Sequence, residues 1–392
     1  MIIEEAKRLN SIHEYYFSQK LRQIAGMNLL GDRVINLGIG SPDMDPDQQV
    51  IEALIECASQ QGINGYQSYK GIAELRKAIA DWTQDLYKTI VDSETEILPL
   101  MGSKEGIMHI SLAFVNEGDI VLVPNPGYPT YTSVSNIVGA KIITYDITPE
   151  NGIDFAQIEK ITNEHKVKIM WINFPHMPTG LKADKEELRK LIDLASKKKF
   201  LLVNDNPYST ILTDEYISIF QLQGAKEVCL ELNSLSKSHN MAGWRIGWVS
   251  GNAELIDTVL KVKSNMDSGM FLPLQKAAVT ALKTGRNKIE SINEEYKKRR
   301  IIAWEIFDLL GCTYSKTTGG MFVWGKIEEN ELSSNDYSEK LLAESKVFIT
   351  PGFIFGTNGE NYLRISLCSK QNILKEALNR LKLIITKKQE VC

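Results

Sequence analysis

Six short apolar runs, at 97–101, 120–123, 169–174, 200–203, 228–232 and 246–249, constrain the fold of this chain more than any other feature. Each is rich in Val, Ile and Leu and too short for a typical helix. Such a run reads as a strand buried on both faces, as in a parallel sheet covered by helices. Helical spacing fills the gaps between several of them: Ile107, Ile110, Ser111 and Phe114 share one face, as do Leu188, Leu191, Ile192 and Ala195. Strand and helix in alternation predict a large doubly wound α/β domain with a mostly parallel sheet over residues 46–285. After Gly285 the pattern changes. Ile289, Ile292, Tyr296, Ala303, Phe307 and Leu310 mark a long helix closed by Gly311. Strand-like 321–324, a helix near 337–344 and strands near 347–350 and 362–367 follow. They predict a smaller α+β domain of residues 286–392, joined by residues 1–45.

At roughly 150 residues per domain, 392 residues accommodate two to three domains. Lys+Arg 45 against Asp+Glu 49 gives a net charge of −4, which leaves no electrostatic footprint for nucleic acid or an anionic membrane. The Lys197-Lys198-Lys199 run reads as the solvated end of a helix. Cys57, Cys229, Cys312, Cys368 and Cys392 are odd in number and dispersed, as in a reducing compartment rather than a disulfide framework. The opening MIIEEAKRLN has acids where a secretion signal needs cations and then an apolar stretch. No apolar run approaches the ~20 residues of a membrane span. A soluble cytoplasmic protein is expected. His13, His109, His165, His176 and His239 show no metal-ligand spacing, so no metal is expected.

Chemistry concentrates in Ser234-x-x-Lys237 followed by Arg245-x-Gly247. A lysine just beyond a buried strand points toward the crevice where open α/β sheets bind ligands. Partial desolvation there lowers its pKa and leaves an amine able to form a Schiff base. Ser234 and Arg245 can hold a phosphate, the arginine through its planar fork of donors. A lone lysine after a strand is usually a surface residue; the ordered set is far more specific.

That set resembles the class I/II, fold type I aminotransferases dependent on pyridoxal 5′-phosphate (PLP), and the resemblance runs along almost the whole chain. It implies that Lys237 carries PLP as a Schiff base and then serves as the base. In Gly102-Ser103-Lys104 it makes Ser103 and Lys104 part of the phosphate cradle, consistent with free N–H groups at a helix N-terminus. Tyr128, in Asn-Pro-Gly-Tyr-Pro, becomes the residue stacked on the pyridine ring. Asp205 becomes the anion that keeps the pyridine nitrogen protonated, and Tyr208 the phenol bonded to the ring's 3-oxygen. Arg364, in Tyr-Leu-Arg-Ile-Ser, becomes the clamp on the substrate α-carboxylate, with Gly38-Ile-Gly40 approaching the same group through Gly40. Tyr66 becomes the tyrosine that reaches the neighbouring subunit's phosphate, which implies a homodimer with shared active sites. Each motif also has a plain structural reading: a βα turn, a packed tyrosine, a helix cap, an ion pair.

One departure stands out. Where the family has Asn-Pro-Thr-Gly, this chain has Met177-Pro-Thr-Gly180. A thioether accepts hydrogen bonds weakly and cannot donate. Losing a donor to a charged oxygen costs on the order of 1.5–3 kcal/mol unless water or Asn173 compensates. Either Met177 raises the pKa of the lysine's Schiff base or fits the pocket to an apolar substrate, or it is tolerated drift. The implied activity is ping-pong transfer of an amino group between an amino acid and a 2-oxo acid. The 263–269 and 240–245 segments are most similar to the branch containing LL-diaminopimelate, alanine and methionine aminotransferases. Two rivals share the residues: a PLP-dependent carbon–sulfur β-lyase and a non-catalytic PLP-fold binding protein.

Overall fold

The computed structural model describes residues 3–10, 12, 14–148, 150, 152–328 and 332–389; His13 and Cys392 lie outside them. The six apolar runs all become strands of one eight-stranded sheet. In chain order its strands are β1 (Ile97–Leu100), β2 (Ile120–Asn125), β3 (Lys141–Thr148), β4 (Gly152–Ile153), β5 (Val167–Ile172), β6 (Leu201–Asp205), β7 (Cys229–Ser234) and β8 (Gly247–Gly251). Their spatial order is β1-β8-β7-β6-β5-β2-β3-β4. The five strands from β7 to β3 run parallel. On one side β8 runs antiparallel to β7, and β1, antiparallel to β8, returns to the direction of the parallel strands; antiparallel β4 closes the other side.

The apolar runs are continuous because both faces of the sheet are covered. Alternate residues point to opposite sides. Ile169, Trp171, Val203, Leu230 and Leu232 pack into one hydrophobic layer, while Met170, Ile172, Leu202 and Cys229 pack into the other. Strand β3 and the short β4 escaped the sequence reading. In Lys-Ile-Ile-Thr-Tyr-Asp-Ile-Thr, only Tyr145 and Ile147 are buried, so no solid apolar run forms at this margin of the sheet.

Beyond residue 285 the expected long helix runs Arg286–Leu309. Gly311, at φ +67°, ends it in the left-handed region that glycine enters without steric cost. A four-stranded antiparallel sheet follows, β9 (Cys312–Tyr314), β10 (Phe322–Ile327), β11 (Thr350–Pro351) and β12 (Tyr362–Ser366), in the order β9-β10-β12-β11. Ile35–Asn36 pairs in parallel with Val347–Phe348. The helix α1 (Tyr16–Leu29) adds Phe17 and Ile24 to the hydrophobic cluster of this sheet. The N-terminal segment is thereby held over the carboxyl ends of the central strands, where open α/β sheets bind ligands.

Candidate active site

A cavity of about 670 Å3 opens at those carboxyl ends. Lys237, Asp205, Tyr208, Ser103, Lys104, Tyr128, Met177, Ser234, Arg245, Gly40 and Arg364 all line it. Tyr66 does not; it is 93% exposed on this chain.

Lys237 sits on the short helix Leu235–Ser238 directly after β7. Its Nζ donates to Gly40 O at 2.5 Å. Burial pulls its pKa down; Cys368 opposes the shift, and the Arg364 and Arg245 charges add to it. Gly40 is close-packed here: a Cβ would lie 2.5 Å from Phe322 Cζ.

Asp205 ends β6 and is 3% exposed. Tyr131 OH donates to its Oδ2 at 2.9 Å, whereas Oδ1 is buried without a partner. Burial pushes the carboxyl up to about 7, against the lowering effect of the Tyr131 bond. Tyr131 is itself fixed by stacking on Trp171 at 5.2 Å and 7°. Tyr128 meets Tyr131 edge-on at 5.5 Å, and Tyr208 meets Phe322 at 5.8 Å. Burial holds both phenols above their ordinary pKa.

Arg364, on β12, is a buried guanidinium with no carboxylate partner among the described residues. Its Nη2 donates to Gly38 O at 2.6 Å, its Nη1 to Met177 Sδ at 3.3 Å, and its Nε has no partner. Phe322, Phe355 and Phe17 surround it, with ring centroids 4.0, 4.7 and 5.4 Å from Cζ. Burial lowers its pKa to about 10; Tyr208, Tyr15, Cys368 and Tyr128 favour the charge.

Arg245 lies against the turn that starts the twelve-residue helix α2 (Ser103–Phe114). Its Nη1 donates to Ala242 O at 2.8 Å. A Cβ on Gly102 would sit 2.0 Å from Nη2, so only glycine lets the guanidinium approach. Helix N–H groups, Arg245 and exposed Lys104 lie at one end of the cavity and could hold an anion. Burial lowers the Lys104 pKa, and the Arg245 charge adds to the effect. The Ser234 hydroxyl caps the Lys237 helix by accepting Ser236 N–H at 3.0 Å, and donates to Ile246 O at 3.1 Å.

Asn173 acts within the protein: Nδ2 donates to Asp205 O, and Oδ1 accepts Met177 N–H at 2.8 Å. Sequence reasoning missed Tyr131, Tyr15, Phe17, Ser236 and Phe322. Tyr131 lies three residues after Tyr128, in the first turn of the helix Pro129–Ile137 that Tyr128 precedes, and their rings meet edge-on. The others carry no motif.

These groups fit PLP. Asp205 Oδ1 is a buried acceptor awaiting a cationic donor, the cradle suits a phosphate, and the desolvated Lys237 amine suits an aldehyde.

Comparison with known proteins agrees. Residues 32–381 match the family model described as aminotransferase class I and II. The chain is 37% identical to an LL-diaminopimelate aminotransferase of Halothermothrix orenii, over 97% of this chain and 98% of that one. It is 36% identical to one of Moorella thermoacetica, over 98% and 99%. Among solved structures, substrate-bound BacF from Bacillus subtilis superposes with a TM-score of 0.92 at 33% identity, covering 98% of each chain. The fold, the family model and the full-length relatives converge on one conclusion: this chain is a PLP-dependent aminotransferase of class I and II.

Proposed function

We propose that this chain moves the amino group of an L-amino acid to a 2-oxo acid in a ping-pong sequence, with Lys237 as the residue that bonds PLP and relays the proton. One observation carries the assignment: a desolvated lysine and a buried, carboxylate-free arginine face a single cavity. PLP supplies an electron sink for the substrate's α-carbon when bound. The chain's own residues do the rest. Arg364 pairs with the α-carboxylate, since its Nε is free and its surroundings are apolar. Two parallel hydrogen bonds there would fix the Cα–H bond within reach of Lys237 Nζ. With its pKa lowered, Nζ would accept the α-proton and give it up again within the site. Asp205 would hold positive charge on the ring nitrogen, Tyr128 would stack on the ring and Tyr208 would donate to its oxygen. Ser103, Lys104, Ser234 and Arg245 serve the phosphate.

The printed names of the relatives make LL-diaminopimelate the first donor to assay. Tyr15, Phe17, Leu21 and Ile39 on the cavity wall favour a second reading, an aromatic or aliphatic donor. A homodimer sharing its sites through Tyr66 belongs to the same proposal, as do the division at residues 46–285 and a cytoplasmic location. The four described cysteines are all unpaired, in keeping with a reducing compartment. No helix among the described residues is long and apolar enough to cross a membrane.

With PLP, the protein should show visible absorbance that shifts on adding donor amino acids. Lys237→Ala should lose turnover by ~10³-fold or more, and full activity in that variant would falsify the assignment. Pyruvate and ammonia released without any 2-oxo acid acceptor would instead mark the β-lyase.

A further inference from the structure

Four ionisable side chains with no part in the chemistry above join two loops at the cofactor end of the cavity. Lys263 is 1% and His109 2% exposed. Lys263 Nζ donates to Tyr69 O at 3.0 Å and to Asp267 Oδ1 at 2.8 Å. Gly269 N–H donates to that same Oδ1 at 2.9 Å, while Asp267 Oδ2 is buried without a partner. A ring nitrogen of His109 and one oxygen each from Glu105 and Asp267 lie within 4.8 Å of one another. His109 Nε2 is 3.3 Å from Glu105 Oε1, and neither ring nitrogen has an aligned hydrogen bond. The other Glu105 oxygen accepts Met101 N–H at 2.6 Å, at the start of the turn that Arg245 lies against.

Buried polar atoms in folded proteins find partners, and the His109 imidazole lies within reach of both carboxylates. A divalent cation fits less well. The Lys263 ammonium already neutralises Asp267, which leaves a single negative charge on Glu105 for His109 to face.

We propose that Lys263, Asp267, His109 and Glu105 form one hydrogen-bonded relay locking the turn at 101–103 to the segment at 67–69, and that His109 is a positioning residue for the cofactor's phosphate. This rests on the reading that the turn holds that phosphate. Without the imidazole the turn is tied on one side only, so its N–H donors lose their preset direction. The loss falls on the phosphate and spares the ring.

The test compares PLP with pyridoxal, which has the same ring and aldehyde but no phosphate, in absorbance titrations of the cofactor-depleted full chain. His109→Ala is expected to weaken PLP binding about tenfold or more and to leave pyridoxal within about twofold, as for a lost charge-assisted hydrogen bond. His109→Gln should restore part of the loss. Should His109→Ala fail to fold, Glu105→Ala is expected to give the same selective loss. Equal weakening of both ligands, undiminished PLP binding, or stoichiometric zinc held by the unaltered chain and lost with His109 overturns the relay. Failure of the unaltered chain to bind either ligand overturns the reading of the site instead.

Discussion

Asp205 and Arg364 face one cavity, and neither has a counter-ion among the described residues. For Asp205 this has a pH signature. Its folded pKa of about 7 lies above the ordinary carboxylate value, so the folded chain holds the proton more tightly than the unfolded one. The stability it contributes is therefore complete below about pH 4 and lost as pH rises through about 7. In urea unfolding of the cofactor-free chain, the unaltered protein should lose stability relative to Asp205→Asn across that window. Parallel profiles would show that the carboxylate is not left unpaired. With PLP present, Asp205→Ala should still bind it yet turn over roughly 10²–10³-fold more slowly, since a preset charge opposite the ring is missing. Motif order made Asp205, Lys237 and Arg364 legible in the sequence. Met177 was visible only as a missing donor. That its sulfur accepts from Arg364, and that Asn173 is engaged by Asp205 and Met177, depends on distances no local pattern carries.

Strands buried on both faces announce themselves as solid apolar runs, so six of the eight large-sheet strands were readable to within a residue or two. Strand β3 was not, because only Tyr145 and Ile147 are buried and its polar residues break the run. The turn between β1 and α2 is the element on which the cradle depends. Gly102 has φ +90° and ψ 155°, a region essentially reserved for glycine, and its missing Cβ makes room for Arg245. Gly102→Ala should cost about 1–3 kcal/mol in stability and displace the guanidinium. Thermal unfolding and a PLP titration would register both effects, the second as about tenfold weaker binding. A variant that matches the unaltered protein in both measurements would remove Arg245 from the cradle.

At the scale of the whole molecule, alternating strand and helix disclosed the doubly wound sheet, but two features lay beyond local pattern. One is the pairing of Ile35–Asn36 with Val347–Phe348, which brings α1 over the cavity. The other is the exposed position of Tyr66. An aromatic side chain 93% exposed is a poor arrangement for an isolated chain, and nearby Met266 and Phe271 are also exposed, at 60% and 44%. The segment that carries Tyr66 touches the 267–269 loop, since a Cβ on Gly269 would lie 2.7 Å from Gln67 O. A second copy covering this surface and receiving Tyr66, as proposed above, would account for all three residues at once. Complementation tests that arrangement directly. Lys237→Ala and Tyr66→Phe chains, each impaired alone, are unfolded together and refolded in equal amounts. Random pairing makes about half the dimers mixed, and each mixed dimer regains one complete site from Lys237 of one chain and Tyr66 of the other. Activity near a quarter of the unaltered level is expected. A mixture no more active than the sum of its parts would place Tyr66 outside the active site and leave each chain catalytically self-contained.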